Sequence, residues 1–398
     1  MPIYRTTLVN FTVFERAEFE FSRGINVLIG KNGTGKSHLL KALYGMTEGT
    51  RRSYSERTNE PGYDMKRVVK LTKQQQRKEG LQVSDAEQIE GRARSAFVSA
   101  YLDDLFIPND LGGRTVGTKL LRLGRRYLEQ EIDLIVSCSF SQDPDEDEVV
   151  FMFEPNEEKA FSLSVYSSNN KIPPFLKHAS VFLPPREVLT IYPGFTVLYQ
   201  KRQISFDRTY YDLCQALALP LLRQPTQAFA SMSASLETAI GGKIILRGDR
   251  FIIARESGEI DANLEAEGLR KLAMIAHLIA NGSLEPGGYL FWDEPEANMN
   301  PKLVVLIKNL LVGLAKAGVQ VFIATHDYLL CGELSLFSEY AEGEDKGLVK
   351  FFCLNKDKHT DPVSVESGAV LADLSHNPIV EEFTAHYERE AKMFAEKH

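Results

Sequence analysis

Gly30-Lys31-Asn32-Gly33-Thr34-Gly35-Lys36-Ser37 fits the spacing G-x-x-x-x-G-K-[ST]. Glycines at this spacing let successive backbone N–H groups turn inward on a polyphosphate. A helix that starts at the end of the loop adds its partial positive charge. On this pattern Lys36 reaches the β- and γ-phosphates of ATP and the Ser37 hydroxyl ligates Mg²⁺. With His38, the residues Gly30 to Ser37 form the expected nucleotide-holding set. Two further groups lie far downstream: the adjacent carboxylates Asp293 and Glu294, and His326 within Thr325-His326-Asp327. Alone, a carboxylate pair after an apolar run is common, and a single histidine after a strand is usually structural.

The flanking residues supply the elements these groups need. Ile25-Asn26-Val27-Leu28-Ile29 is apolar and β-branched, a buried strand entering the loop. His38 to Tyr44 carries apolar residues at helical spacing, and Gly45 and Gly49 are expected to close that helix. Tyr289-Leu290-Phe291-Trp292 is a second buried strand, which delivers Asp293 and Glu294 to the carboxyl edge of a parallel sheet, where phosphates bind. Val319 to Ala324 is a third, ending at His326. Between them, Lys302 to Ala317 reads as a helix that stops at Gly318.

Composition bounds the class. With 398 residues and 43% hydrophobic content, the chain buries a large core and divides into lobes. A net charge of −8 makes no global electrostatic case for nucleic acid. Cys138, Cys214, Cys331 and Cys353 are scattered, with no C-x-x-C, which suits a reducing compartment and argues against a zinc site. No apolar run approaches the ~18 residues of a membrane span, and Met1-Pro2-Ile3-Tyr4-Arg5 has no signal-peptide core. The expectation is a cytoplasmic protein with no membrane partner.

Tyr4 to Phe21 suits two short antiparallel strands. From Thr47 to Lys78 basic residues, among them Arg51, Arg52, Arg57, Lys66 and Arg67, outnumber acidic ones, and apolar residues thin out. This arm reads either as a solvated insertion or as a basic surface for nucleic acid. Ala86 to Phe106 and Leu120 to Leu128 read as helices. Ile132 to Phe140, Val149 to Phe153 and Phe161 to Tyr166 read as strands, and the acidic run Asp143 to Glu148 is a hairpin turn rather than a metal site. Ser180 to Leu183 is a strand stopped by Pro184-Pro185. Tyr210 to Leu222 and Ala228 to Ile240 read as helices. Lys243 to Leu246 and Phe251 to Arg255 form a hairpin turned at Gly248-Asp249. A helix carrying Leu272, Ile275, Leu278 and Ile279 on one face begins near Gly268, and Phe383, Tyr387 and Phe394 mark a final amphipathic helix.

The Phe-rich opening that feeds "NVLIGKNGTGKS" resembles the head domain of ABC-type ATPases of the SMC and OLD groups. Within that resemblance, Asp293 holds Mg²⁺, Glu294 polarises the attacking water, and Pro295 to Pro301 corresponds to the D-loop. His326 stands at the switch position that senses the γ-phosphate. Gly268, in Asn263 to Lys271, stands at the signature motif. Ala266 replaces the usual signature serine, with Arg270 or Lys271 as compensating donors, and Asn300 stands where the D-loop often has Asp. No Gln ends the Ser180–Leu183 strand, so Arg186 or Glu187 substitutes at the Q-loop. The order of motifs resembles prokaryotic single-chain ATPases related to the OLD family, including ATPase subunits of anti-phage defence and toxin–antitoxin-like systems.

The resemblance implies an α/β fold: an ABC-type P-loop ATPase head with a mixed β-sheet and a helical/β insertion lobe. The expected divisions are 1–48 and 180–330 for the head, with a helical subdomain at about 190–240, 49–179 for the insertion lobe and 331–398 for a C-terminal extension. It also implies ATP hydrolysis at sites shared between two subunits, hence a homodimer or larger self-assembly. The expected role is a nucleotide-driven switch controlling a separate effector, a nuclease or toxin. The alternative is a DNA-engaging repair or recombination ATPase using the basic arm. No long heptad arms separate the head halves, and the tail is expected to be too short for the nuclease domain of OLD proteins.

Overall fold

The structure, a computed structural model, describes residues 2–54, 98, 101–102, 104–106, 134–141, 148–155, 161–167, 178–201, 204–356 and 362–397. The rest of the basic arm, the helices expected over Leu120 to Leu128 and most of Ala86 to Phe106, and the acidic turn 142–147 lie outside these residues.

In chain order the strands are β1 (Arg5–Val9), β2 (Arg16–Glu20), β3 (Ile25–Gly30), β4 (Leu134–Ser139), β5 (Glu148–Pro155), β6 (Phe161–Ser167) and β7 (Ser180–Leu183). They continue with β8 (Lys243–Arg247), β9 (Arg250–Arg255), β10 (Gly258–Asp261), β11 (Tyr289–Asp293), β12 (Gln320–Ala324), β13 (Val349–Asn355) and β14 (Ser364–Gly368). The helices used below are α1 (Lys36–Tyr44), α2 (Thr50–Tyr54), α3 (Phe195–Lys201), α4 (Arg208–Leu217), α5 (Gln227–Ile240), α6 (Glu267–Ala280), α7 (Pro301–Lys316), α8 (Tyr328–Glu339) and α9 (Pro378–Lys397).

The central sheet has the order β14-β13-β3-β12-β11-β7. Its strands are parallel except β14, which pairs antiparallel with β13 at one edge. Both faces of β3, β7, β11 and β12 are buried, which explains why these strands read as continuous apolar runs. Alternate residues serve two cores. Val27, Ile29, Trp292 and Ile323 face the core built with α6 and α7. Leu28, Phe291, Phe322 and Phe352 face a second core with α1 and the antiparallel sheet β2-β1-β4-β5-β6. Helix α1 is thereby clamped between the two sheets through Leu39, Leu40, Leu43 and Tyr44, all buried. A third, antiparallel sheet, β10-β9-β8, leads into α6.

The structure departs from the expected pattern at several points. Gly45 and Gly49 do not end the first helix: a π-turn over Gly45–Gly49 carries it into α2. The glycines are there for close packing, since a Cβ on Gly45 would lie 2.6 Å from the Leu102 side chain. Arg51 and Arg52, counted with the basic arm, belong to this extended helix and pair inward with Glu48. The expected C-terminal extension contributes to the central sheet. It gives β13, which pairs in parallel with β3 directly beside the loop strand, and then β14. The expected hairpin over Lys243 to Arg255 gains a third strand, β10, too short and too charged to stand out by alternation. The expected insertion lobe likewise supplies β4, β5 and β6 to the sheet begun by β1 and β2. Helix α9 packs Phe383 against Tyr328 (ring centroids 4.4 Å apart) and leaves Tyr387 exposed.

Candidate functional site

The parallel register aligns the strand ends. Leu28 stands opposite Ala324, and Ala324 opposite Asp293, so the residues after β3, β11 and β12 emerge at one edge. There Gly30, Gly33 and Gly35 hold φ of 148°, 79° and 93°. Glycine is needed at Gly35 twice over, because φ is left-handed and a Cβ would lie 2.8 Å from the Phe14 ring. The Thr34 hydroxyl donates to the Lys31 carbonyl at 2.8 Å and closes the turn. Helix α1 then starts at Gly35 with no side-chain cap and no acidic residue in its first turn. Its leading N–H groups therefore face the loop without a competing carboxylate, which suits a phosphate.

Lys36 is buried, and its ammonium donates to the carbonyls of Gly30 (2.7 Å) and Lys31 (3.1 Å). Burial lowers its pKa to about 8, against the opposing pull of Asp293 and Glu294. The charge is thus weakly solvated and held by neutral carbonyls, a cation suited to exchanging those contacts for phosphate oxygens. His38 turns its ring edgewise to Phe106, centroids 6.1 Å apart, and burial together with Lys41 keeps it neutral. One turn after Ser37, Lys41 pairs with Asp207 at 2.7 Å and joins α1 to the start of α4.

Asp293 is buried and accepts a hydrogen bond from the Ser37 side chain. Burial pushes its carboxyl pKa up, with Ser37 as the main opposing influence. Among the described residues, no group of three or more His, Cys, Asp or Glu could hold a metal. A hydroxyl and one carboxylate, with phosphate oxygens and water completing an octahedron, suit Mg²⁺ and no ion that wants a full protein cage. Glu294 follows with φ of +51°, a left-handed conformation uncommon outside glycine, and its N–H donates to the Ala324 carbonyl at 2.8 Å. That turn swings the chain out of β11 at the sheet edge.

The turn after Glu294 is held from two sides. Lys271 of α6, fully buried, donates to the Ala297 carbonyl at 2.9 Å and reaches the Glu294 carbonyl at 3.5 Å. Gly268 packs on the same turn: a Cβ there would meet the Asn298 carbonyl at 3.2 Å and Leu303 at 3.3 Å. On the other side, Glu296 Oε1 accepts from the Thr325 hydroxyl (2.7 Å) and the His326 backbone N–H (3.2 Å). His326 itself is exposed; partial desolvation of its imidazole, then the Lys36 charge, hold it below its ordinary pKa, with Glu294 opposing. Asn300 caps α7 by accepting from the Leu303 N–H.

The compensating roles expected for Arg270 and Lys271 do not fit. Arg270 pairs with Glu187 at 2.8 Å and with the Glu265 carbonyl, while Lys271 is spent on the turn carbonyls. Glu187, buried in that pair and bonded to Thr190, is a structural anchor rather than a sensor of water. Arg186 is exposed just after β7, whose Leu183 stands opposite Trp292. Sequence reasoning missed Glu296, Lys271 in its observed role, and Tyr210, which burial first and then Asp207 push up to about 12. Glu296 sat in plain view as the carboxylate after Asp293-Glu294-Pro295, but nothing local says which strand end it binds.

Sequence models of two families match the chain. One, described as "AAA domain", matches residues 6–172, and the other, described as "AAA domain, putative AbiEii toxin, Type IV TA system", matches residues 250–332. The chain is 31% identical over 142 residues to the DNA replication and repair protein RecF of Bacillus velezensis, a stretch covering 33% of this chain and 38% of that protein. Among solved structures, it is similar to the SMC head domain from Thermotoga maritima at 13% identity and a TM-score of 0.45, covering 92% of this chain and 98% of that one. A second similar structure is the Smc head domain with an extended coiled coil bound to the C-terminal domain of ScpA, derived from Pyrococcus furiosus, at 12% identity and a TM-score of 0.46, covering 98% and 99%. Among the described residues, no helix is long and apolar enough to cross a membrane. Over residues 6–172 and 250–332, then, the chain is similar to AAA-domain families.

Proposed function

We propose that this chain binds Mg²⁺-ATP at Gly30 to His38 and hydrolyses it as a nucleotide-driven dimerisation switch. The supporting observation is the common sheet edge. Lys36 and Ser37 at the start of α1, Asp293 at the end of β11, and Glu294 and His326 just beyond β11 and β12 gather where three adjacent strands end in register. Lys36 holds the β- and γ-phosphates, and the first-turn N–H groups of α1 hold the anion. Ser37 and Asp293 would hold Mg²⁺, which when bound neutralises charge developing on the transferred phosphoryl group. Glu294 orients and deprotonates the attacking water, and His326, neutral near pH 7, hydrogen-bonds the γ-phosphate oxygen. Gly268 serves the nucleotide of a second copy, so ATP closes two heads on each other and hydrolysis releases them.

On this reading the output lies in a separate effector, a nuclease or toxin in a defence system, in keeping with the toxin–antitoxin description of one matching family. Phosphate release from Mg²⁺-ATP tests the enzymatic claim. Glu294→Gln is expected to keep binding while losing turnover by about 100-fold or more, and Lys36→Ala to lose binding. Turnover unaffected by both substitutions overturns the assignment.

A second reading, a DNA-engaging ATPase, draws on the RecF match and the basic residues of the arm beyond Tyr54. It requires DNA binding that weakens steeply with salt and disappears when Arg57, Lys66 and Arg67 are neutralised.

A further inference from the structure

Glu296, half-buried, turns its carboxylate to the end of β12. Its Oε1 accepts both from the Thr325 hydroxyl at 2.7 Å and from the His326 backbone N–H at 3.2 Å, while its Oε2 is buried with no hydrogen-bond partner among the described residues. The Thr325 hydroxyl also accepts from the Asp327 N–H at 3.0 Å, so one carboxylate fixes three consecutive residues at the end of β12. The backbone of Glu296 belongs to the turn that Lys271 and Gly268 grip from α6, with Lys271 on the neighbouring Ala297 carbonyl. A continuous path of direct contacts therefore runs from α6 through the turn after Glu294 to the peptide that carries His326.

Burying a carboxyl with one oxygen unpaired is unfavourable, and a threonine at 296 would leave no such group. We propose that Glu296 is the positioning residue for His326: it sets the imidazole's place at the nucleotide and transmits to it any shift of α6 and of the turn after Glu294. This rests on the ATPase reading above. It adds that the face expected to meet a second copy, carrying Gly268, is wired to the phosphate-sensing histidine by a single side chain. A second copy pressing on α6 or on Asn298 would then alter turnover without touching His326.

The test is a coupling measurement. Steady-state hydrolysis is measured for Glu296→Ala, His326→Ala and the double variant, with Glu296→Gln and Thr325→Val alongside, and melting temperature is recorded for each. Positioning predicts that Glu296→Ala lowers kcat roughly 10-fold or more with little change in KM. The double variant should be no slower than His326→Ala alone, because the carboxylate acts only through the histidine. Glu296→Gln, which keeps an acceptor for both donors, should recover most of the rate, and Thr325→Val should fall between. If the two losses multiply, or Glu296→Gln is as slow as Glu296→Ala while melting normally, the proposal is overturned. Should Glu296→Ala fail to fold, Thr325→Val combined with His326→Ala carries the same additivity test. Hydrolysis by the parent chain, lost in Lys36→Ala, reports separately on the ATPase reading.

Discussion

The Lys36 ammonium donates to the carbonyl oxygen of Gly30 across 2.7 Å, so the loop's charged side chain closes on the last residue of its own strand. Neutral carbonyls stabilise an ammonium far less than phosphate oxygens do. Burial accordingly lowers its pKa to about 8, Asp293 and Glu294 opposing.

Nucleotide affinity should carry the signature of that group. Phosphate oxygens favour protonated Lys36, so affinity for Mg²⁺-ATP is full below about pH 8. It declines as pH rises through the free protein's pKa of about 8, by up to about tenfold per pH unit. Calorimetric titration between about pH 7 and about pH 9 should show this fall, with proton uptake on binding. Lys36→Arg, charged throughout, should flatten the profile.

Trp292 is the single tryptophan, fully buried beside Asp293, with no hydrogen-bond partner for its indole N–H among the described residues. Its emission should change when Mg²⁺-ATP is added and stay fixed in Lys36→Ala. An unaltered signal in the parent chain, with binding shown by another method, would move the nucleotide away from the β11 edge.

Glu48 anchors the helix that continues α1. It is buried, bonds Arg51 and Arg52 at 2.5 and 2.7 Å, and accepts from the Ser180 N–H of β7. Burial raises its carboxyl pKa, but the two guanidinium groups outweigh burial and bring it down to about 2. A carboxylate whose pKa is lowered on folding contributes stability above its unfolded value near 4.5. That contribution is lost as pH falls towards about 2. Glu48→Gln should therefore lose about 3 kcal/mol near neutrality and show a flatter acid limb in denaturant unfolding across that window. Asp212 receives Tyr44 and Tyr101 hydroxyls at 2.9 and 2.7 Å and pairs with Arg52, so Asp212→Asn should destabilise the same junction.

Local chemistry explains what was legible in the sequence. The loop at Gly30 to Ser37 is contiguous, and its flanks announce strand and helix by periodicity. Asp293 ends, and His326 closely follows, a short apolar run of the kind a doubly buried parallel strand produces. What stayed hidden depends on partners far away in sequence. Glu296 is defined by Thr325, 29 residues on. Lys271 looked like a free donor because its acceptors are main-chain carbonyls, which every residue has. Gly45 and Gly49 looked like helix stops, and only Leu102 and Tyr101 packed against them give another reason for glycine. β13 was missed because its proximity to β3 comes from topology rather than from pattern.

Closure of two heads on ATP is the central claim, and solution mass tests it most directly. Light scattering should be run on Glu294→Gln, which retains nucleotide, with and without Mg²⁺-ATP, and on the same protein carrying Gly268→Trp. A side chain at Gly268 would strike Asn298, Leu303 and Met299 and disrupt the face offered to a second copy. The account predicts a nucleotide-dependent rise in mass for Glu294→Gln that the added Gly268→Trp removes while ATP still binds. An unchanged mass with ATP demonstrably bound would contradict it.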